Sequence, residues 1–239
     1  QCNPTVESCR FIGNHAGPKI SVGGGGYNYD CDPEFLDCVF TFNDAGWGAG
    51  MQNYSGSNPS IIHCAFDTNF ANTNGGGMNN ESSAPSLEYC NFFGNSAGAD
   101  GGGMFNADPS SIANIPTVFA CEFSENSAGS GGGAIHNFSI SPLIENCTIQ
   151  SNAATNGGAI YSWNASIPQL NSNQICENEP NQVVGPYSGD PSQISDNCGI
   201  ACRSDLNGDG TTNGPDLGLF FVKWGDCPGC QSDFNGDDV

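Results

Sequence analysis

Six cysteines of this 239-residue chain return at near-constant intervals, and each brings the same neighbours with it. Cys9, Cys38, Cys64, Cys90, Cys121 and Cys147 are separated by 29, 26, 26, 31 and 26 residues. Two residues after each stands a large apolar side chain: Phe11, Phe40, Phe66, Phe92, Phe123 and Ile149. Three residues further on come Asn14, Asn43, Asn69, Asn95, Asn126 and Asn152, and Asn178 continues the series. Five residues before each cysteine is a proline: Pro4, Pro33, Pro59, Pro85, Pro116 and Pro142, with Pro168 in step. Self-similarity at a fixed period marks a solenoid, in which one structural unit recurs and equivalent residues stack along an axis.

The composition selects the kind of solenoid. Helical repeats need long runs of 3.6-residue period, whereas this chain carries 34 glycines and only short stretches of alternating character. In "PSLEYCNFF", Leu87, Cys90 and Phe92 point inward if the chain bends between Leu87 and Cys90, and Cys-x-Phe has the two-residue period of a strand. Proline before it and Asn-x-Ala after it mark corners. A unit of about 26 residues suits one coil of a right-handed parallel β-helix with three short strands. The expected fold is therefore all-β: about seven coils over residues 1–180, forming a rod roughly 30–35 Å long at the ~4.8 Å strand spacing. Stacking then predicts a phenylalanine column, a column of small apolar cysteines and an asparagine column that passes amide hydrogen bonds between coils. The recurrent glycines, such as those at 75–77 and 101–103, permit positive φ and close approach at one corner. A second asparagine column is predicted at Asn53, Asn80, Asn106, Asn137 and Asn164.

The tetrapeptides FIGN, FTFN, FDTN, FFGN and FSEN recur in register. GGAI occurs at Gly132–Ile135 and Gly157–Ile160, with GGGM in earlier coils. These units resemble the F-x-x-N and G-G-A-I repeats of polymorphic outer-membrane adhesins, over residues 1 to about 178. The resemblance implies a surface-exposed passenger with an adhesive or structural role.

After Asn178 the period ends. Residues 181–201 read as a linker or cap, rich in Pro, Gly, Ser and Asn. Residues 202–239 read as a small calcium module. Asp205, Asn207, Asp209, Thr211, Asn213 and Asp216 fall at positions 1, 3, 5, 7, 9 and 12 of a loop with Gly210 at the sixth. Hard oxygen donors at alternate positions of a tight turn are what Ca2+ requires, Thr211 through its backbone carbonyl. A second loop opens with Asp233, Asn235 and Asp237. Aspartate at the twelfth position and the duplicated loop resemble a type I dockerin, which implies bound Ca2+ and a cohesin partner. Gly214 and Pro215 replace the polar pair such modules use for cohesin, and this puts cohesin recognition in doubt.

The remaining cysteines form another group. A disulfide between Cys2 and Cys31 would staple the first coil. Cys176, Cys198, Cys202, Cys227 and Cys230 surround the linker and calcium module. The spacing of "CPGC" also suits zinc or redox chemistry, but structural disulfides are the expectation for an acidic secreted chain.

Charge narrows the function classes. Four basic residues stand against 25 acidic ones, a net charge of -21, which disfavours nucleic acid and anionic membrane surfaces as partners. No apolar run approaches the roughly 20 residues of a membrane helix. The start at Gln1, without a signal peptide, fits either a processed secreted chain or a piece of a longer one. Parallel β-helices often cleave polysaccharides, which requires clustered carboxylates, usually with basic groups. Here Arg10 and Lys19 lie in the first coil, His15, His63 and His136 occupy different repeat positions, and Glu7, Glu88 and Glu145 share a register in non-adjacent coils. Asp100 and Asp108 read as a solvated loop. Of the N-x-S/T sites, Asn53, Asn80, Asn137, Asn146 and Asn164, most fall in the second asparagine column, so turn chemistry accounts for them. The expectation is a non-catalytic, secreted structural protein of a bacterial surface or matrix. It would be stabilised by Ca2+ and would self-associate head to tail into a filament. The alternative is a monomeric adhesin or scaffold protein held to another surface protein by its dockerin-like tail. A polysaccharide lyase or hydrolase comes third.

Overall fold

The computed structural model describes residues 3–17, 21–108, 115–189 and 194–195. The chain winds into a parallel β-solenoid of about seven coils. Among the described residues there is no helix, so none is long and apolar enough to cross a membrane.

One coil illustrates the rest. Strands Ser86–Glu88, Asn91–Phe93, Ser96–Ala97 and Met104–Ala107 follow one another, each in a different sheet. Each pairs in parallel with its equivalents in the coils before and after: Leu87 lies between Ile61 and Val118, and Phe92 between Phe66 and Phe123. The four sheets hold eight, seven, five and seven strands in the order the chain visits them. The expectation of three strands per coil is thus corrected to four. The Asn-x-Ala segment, expected as a corner, continues as a two-residue strand that pairs with the next coil, Phe70 with Ser96 and Ala71 with Ala97.

The corners are single residues in the left-handed region. Between the first and second strands these are Ser8, Asp37, His63, Tyr89, Ala120, Asn146 and Ser172, with φ between 50° and 56°. A side chain in this region costs about 1–2 kcal/mol. The cost is offset because the corner amide still joins the ladder, as in Tyr89 N–H donating to Phe119 O at 3.1 Å. The residue after each corner then turns its own N–H inward, where it needs an acceptor. This requirement explains two of the sequence columns.

Asparagine fills it after the second corner. Asn43, Asn69, Asn95 and Asn126 each donate backbone N–H to Oδ1 of the next asparagine at 2.9–3.1 Å. The side-chain amide donates to the same oxygen at 2.9 Å. It also donates back to the phenylalanine carbonyl of the preceding coil, as from Asn95 Nδ2 to Phe66 O at 2.7 Å. The ladder ends where Asn178 Nδ2 donates to Gln182 Oε1 at 2.7 Å. Cysteine meets the same need after the first corner. The amides of Cys38, Cys90 and Cys121 donate to the sulfur of the next cysteine at 3.3–3.4 Å, and Cys147 N–H donates to Asn173 Oδ1 at 2.9 Å. The cysteines are therefore hydrogen-bond acceptors as well as apolar filler.

Phe11, Phe40, Phe66, Phe92 and Phe123 stack with ring centroids 4.6–4.8 Å apart and planes within 7°. The separation equals the strand spacing, so the backbone sets the stack. Burial of each of the last four rings contributes about 1.5–3 kcal/mol. Met51, Met78, Met104, Ile135 and Ile160 face them from the fourth sheet, all fully buried.

Glycine is required at the corner before the fourth sheet. A Cβ on Gly75, at φ +68°, would lie 2.4 Å from Met78 O. One on Gly102 would lie 2.4 Å from both Gly133 O and Ser127 O. Within the segment expected as linker or cap, Val183–Val184 pairs with Ile160 and Tyr161, and Ser188–Gly189 with Gln169 and Leu170.

Candidate functional site

The calcium-loop residues Asp205, Asn207, Asp209, Thr211, Asn213, Asp216, Asp233, Asn235 and Asp237 lie outside the described residues. Among the described residues, no three His, Cys, Asp or Glu side chains gather as metal ligands would.

The histidines stay apart, each beside its own carboxylate. His15 Nδ1 lies 3.2 Å from Asp44 Oδ2, and His63 Nδ1 lies 3.7 Å from Asp37 Oδ1, both in exposed positions. His136 is buried on the outer side of the fourth sheet, with Nδ1 3.1 Å from Asp100 Oδ1. Asp108 is only 3% exposed. The solvated-loop expectation is therefore corrected for Asp108, which directly follows a strand of the fourth sheet, whereas Asp100 is half-buried in the turn before that sheet.

The second asparagine column is shifted from its expected membership. Asn28, Asn53, Asn80 and Asn106 each donate Nδ2–H to the next Oδ1 at 2.7–2.9 Å, the last of them to Asn137. Ser162, not Asn164, pairs with Asn137, since the coils here are offset by 25 residues. Asn164 sits in the following turn at φ 54° and donates to Ser139 Oγ at 2.6 Å. Asn53, Asn80 and Asn137 are fully buried, so these three N-x-S/T sites present no side chain to solvent.

Because this column points inward, the residues on either side of each asparagine point outward. One outward row runs Tyr27, Gln52, Asn79, Phe105, His136 and Tyr161; the other runs Tyr29, Tyr54, Glu81, Ala107, Phe138 and Trp163. Aromatic rings gather at both ends. His136 packs between Phe105 and Tyr161 at 5.1 and 5.0 Å, and Tyr29 lies 6.4 Å from Tyr27 and 5.8 Å from Tyr54. Val22 and Trp47, joined by a backbone bridge, flank the first row. Val22, Tyr27, Trp47, Gln52, Tyr54 and Glu81 enclose an open cleft of about 270 Å³. Burial holds the Tyr27 hydroxyl above its ordinary pKa, reinforced by the charges of Tyr29, Tyr54 and Glu81. Sequence reasoning missed this cleft. The signal was present in Tyr-Asn-Tyr at 27–29 and Gln-Asn-Tyr at 52–54, where an inward asparagine is bracketed by outward rings.

Among the described residues the thiols form no exposed reactive cluster. Burial pushes the Cys64 thiol up to about 12, which keeps it protonated. Cys121 is also raised, first by its hydrogen bonds with Cys147 and Cys90 and then by burial. Cys31 is a free, half-buried thiol, so the expected Cys2–Cys31 staple is not formed. The Cys31 amide is instead within hydrogen-bond distance of Ser57 Oγ, at 3.3 Å. Cys176 is disulfide-bonded, and Cys2, Cys198, Cys202, Cys227 and Cys230 lie outside the described residues.

The chain matches the model of the Chlamydia polymorphic membrane protein repeat at residues 120–137 and 146–162. Both segments span an asparagine or cysteine corner and a Gly-Gly-Ala-Ile turn. No curated protein and no solved structure matches the chain.

Proposed function

We propose that this chain is a non-catalytic β-solenoid exposed on a bacterial surface, where it holds binding faces away from the cell. One observation carries the reading: the segments similar to the polymorphic membrane protein repeat are coils of a continuous stack. The internal columns of that stack serve self-stacking alone. Each histidine pairs with a different aspartate, and among the described residues no three His, Cys, Asp or Glu side chains gather, which supports a non-catalytic reading. The spacing of Asp205, Asn207, Asp209, Thr211, Asn213 and Asp216 supports a Ca2+-bound tail that attaches the solenoid to another surface protein.

Protease shaving of intact source cells tests the reading. Peptides from residues 21–108 should be released before cells lyse; recovery only after lysis would reject surface exposure. Calcium titration of the full chain, compared with Asp205→Ala and Asp209→Ala variants, tests the tail separately.

A head-to-tail filament is the second reading. The net charge of -21 and the duplicated acidic loop favour a calcium-bridged contact between copies. Gln182 weighs against stacking the coils themselves, because it already occupies the rung that follows Asn178. Sedimentation of the full chain with and without a chelator separates the two readings.

A further inference from the structure

We propose that the cleft formed by Val22, Tyr27, Trp47, Gln52, Tyr54 and Glu81 binds a small quaternary ammonium ion. The geometry of adjacent coils builds it. Tyr27 and Gln52 are neighbours in one outward row, and Tyr54 and Glu81 in the other. Trp47 and Val22 close the opposite side. Three aromatic side chains and one carboxylate therefore line a single open volume.

The polar groups present decide the ligand class. Gln52 is 1% exposed, and its amide is already used: Oε1 accepts from Asn79 Nδ2 at 2.8 Å, and Nε2 donates to Asn53 O at 3.2 Å. At 1% exposure the remaining N–H and lone pair of that amide are not presented to a hydroxyl-rich sugar. Among the described residues no ion pair neutralises Glu81. A cation is attracted to aromatic faces and to that carboxylate. An anion is repelled by Glu81 and by the chain's net charge of -21.

Hydration and size narrow the choice further. A primary ammonium is strongly hydrated and needs several acceptors to replace its water. A quaternary ammonium has no N–H to satisfy, so ring faces suffice. At about 270 Å³ the cleft accommodates one such head group and is smaller than sites that enclose drug-sized ligands.

The test is calorimetric titration of the full chain with choline and with its uncharged isostere, 3,3-dimethylbutan-1-ol. Choline should bind saturably, and the isostere at least about tenfold more weakly. Tyr27→Ala, Trp47→Ala and Glu81→Gln should each weaken choline by about three- to thirtyfold. Tyr89→Ala, an exposed aromatic outside the cleft, should leave binding unchanged. Tyr27 and Glu81 face outward and Trp47 is half-buried, so the circular dichroism and melting temperature of each variant are measured alongside to separate lost binding from lost fold. Phosphocholine should bind more weakly than choline because its phosphate meets the same field. Lys19 lies outside the described residues, so Lys19→Ala is titrated in parallel and should still bind. Equal affinity for the uncharged isostere, saturation by methyl glycosides but not choline, or loss of binding in Lys19→Ala would overturn the proposal. So would absence of saturation by about 100 mM choline, an affinity too weak for a built site. Because the assay uses purified protein, its failure would leave the surface-exposure reading standing.

Discussion

Asn95 donates through Nδ2 to Oδ1 of Asn126 at 2.9 Å, although 31 residues separate them where neighbouring rungs are separated by 26. The extra length of that coil is accommodated between Ala107 and Thr117, and the ladder keeps its register on both sides. The solenoid is held by what each coil presents to the next.

Asn95→Asp is close to isosteric but removes the donor. The new carboxylate would face Asn126 Oδ1 and Phe66 O, both acceptors, inside a buried ladder. We expect destabilisation of about 3 kcal/mol or more at pH 7. The carboxylate's folded pKa should be raised, since burial and acceptor neighbours disfavour its charged form. The defect should therefore shrink as pH falls, when the protonated acid can donate again. Urea denaturation at pH 7 and pH 4, referred to wild type at each pH, checks both parts.

Phe92→Ala should cost about 3–5 kcal/mol, because the ring is fully buried between Phe66 and Phe123. Phe93→Ala should change stability by less than about 1 kcal/mol, since the Phe93 ring is 40% exposed on the opposite side of the same strand. Comparing the two denaturation midpoints tests the inside–outside assignment directly.

The glycine corners should differ sharply. Gly102→Ala places a methyl 2.4 Å from two backbone oxygens of the next coil and should prevent folding or separate the coils. Gly94→Ala meets nothing closer than Thr68 Oγ1 at 3.6 Å. It should cost only about 1–2 kcal/mol, the ordinary penalty of a side chain at positive φ. Thermal melting of the two variants distinguishes them.

Alkali should loosen the solenoid through Cys64. Its thiol rises from 9.0 to about 12 on folding, so the unfolded chain loses this proton more readily. The associated stability is complete below pH ~9 and is lost as pH rises through ~12. Cys64→Ala should be less stable than wild type at pH 7, because the Cys38 amide loses its sulfur acceptor, yet should lose less stability between pH 9 and 11.5. Denaturation series across that range provide the readout.

Much of this architecture was legible because it depends on repetition. Phe40, Phe66, Phe92 and Phe123 stack where their spacing predicts, and so do Asn43 to Asn152. What escaped has a physical reason in each case. Tyr89, Ala120 and Phe42 adopt left-handed corners that no residue type announces, because the turn is supported by an amide hydrogen bond to the next coil. The third strand of these coils is only two residues long, and its outward residues vary from Phe70 to Ser96, so it leaves no alternating pattern of its own. The cleft depends on rings in different coils, Tyr27, Trp47 and Tyr54. It becomes visible only once the register puts Tyr29 beside Tyr54. Asn164 was misassigned because its coil is one residue shorter between the columns.

The Asn43–Asn69–Asn95 rungs make every coil interchangeable with its neighbour, since each offers the same oxygen to the coil before and the same N–H to the coil after. Length thus becomes a quantised property. Excising Ala65 to Cys90 would seat Asn43 directly on Asn95 and shorten the stack by one strand spacing, about 4.8 Å, without creating a new kind of contact.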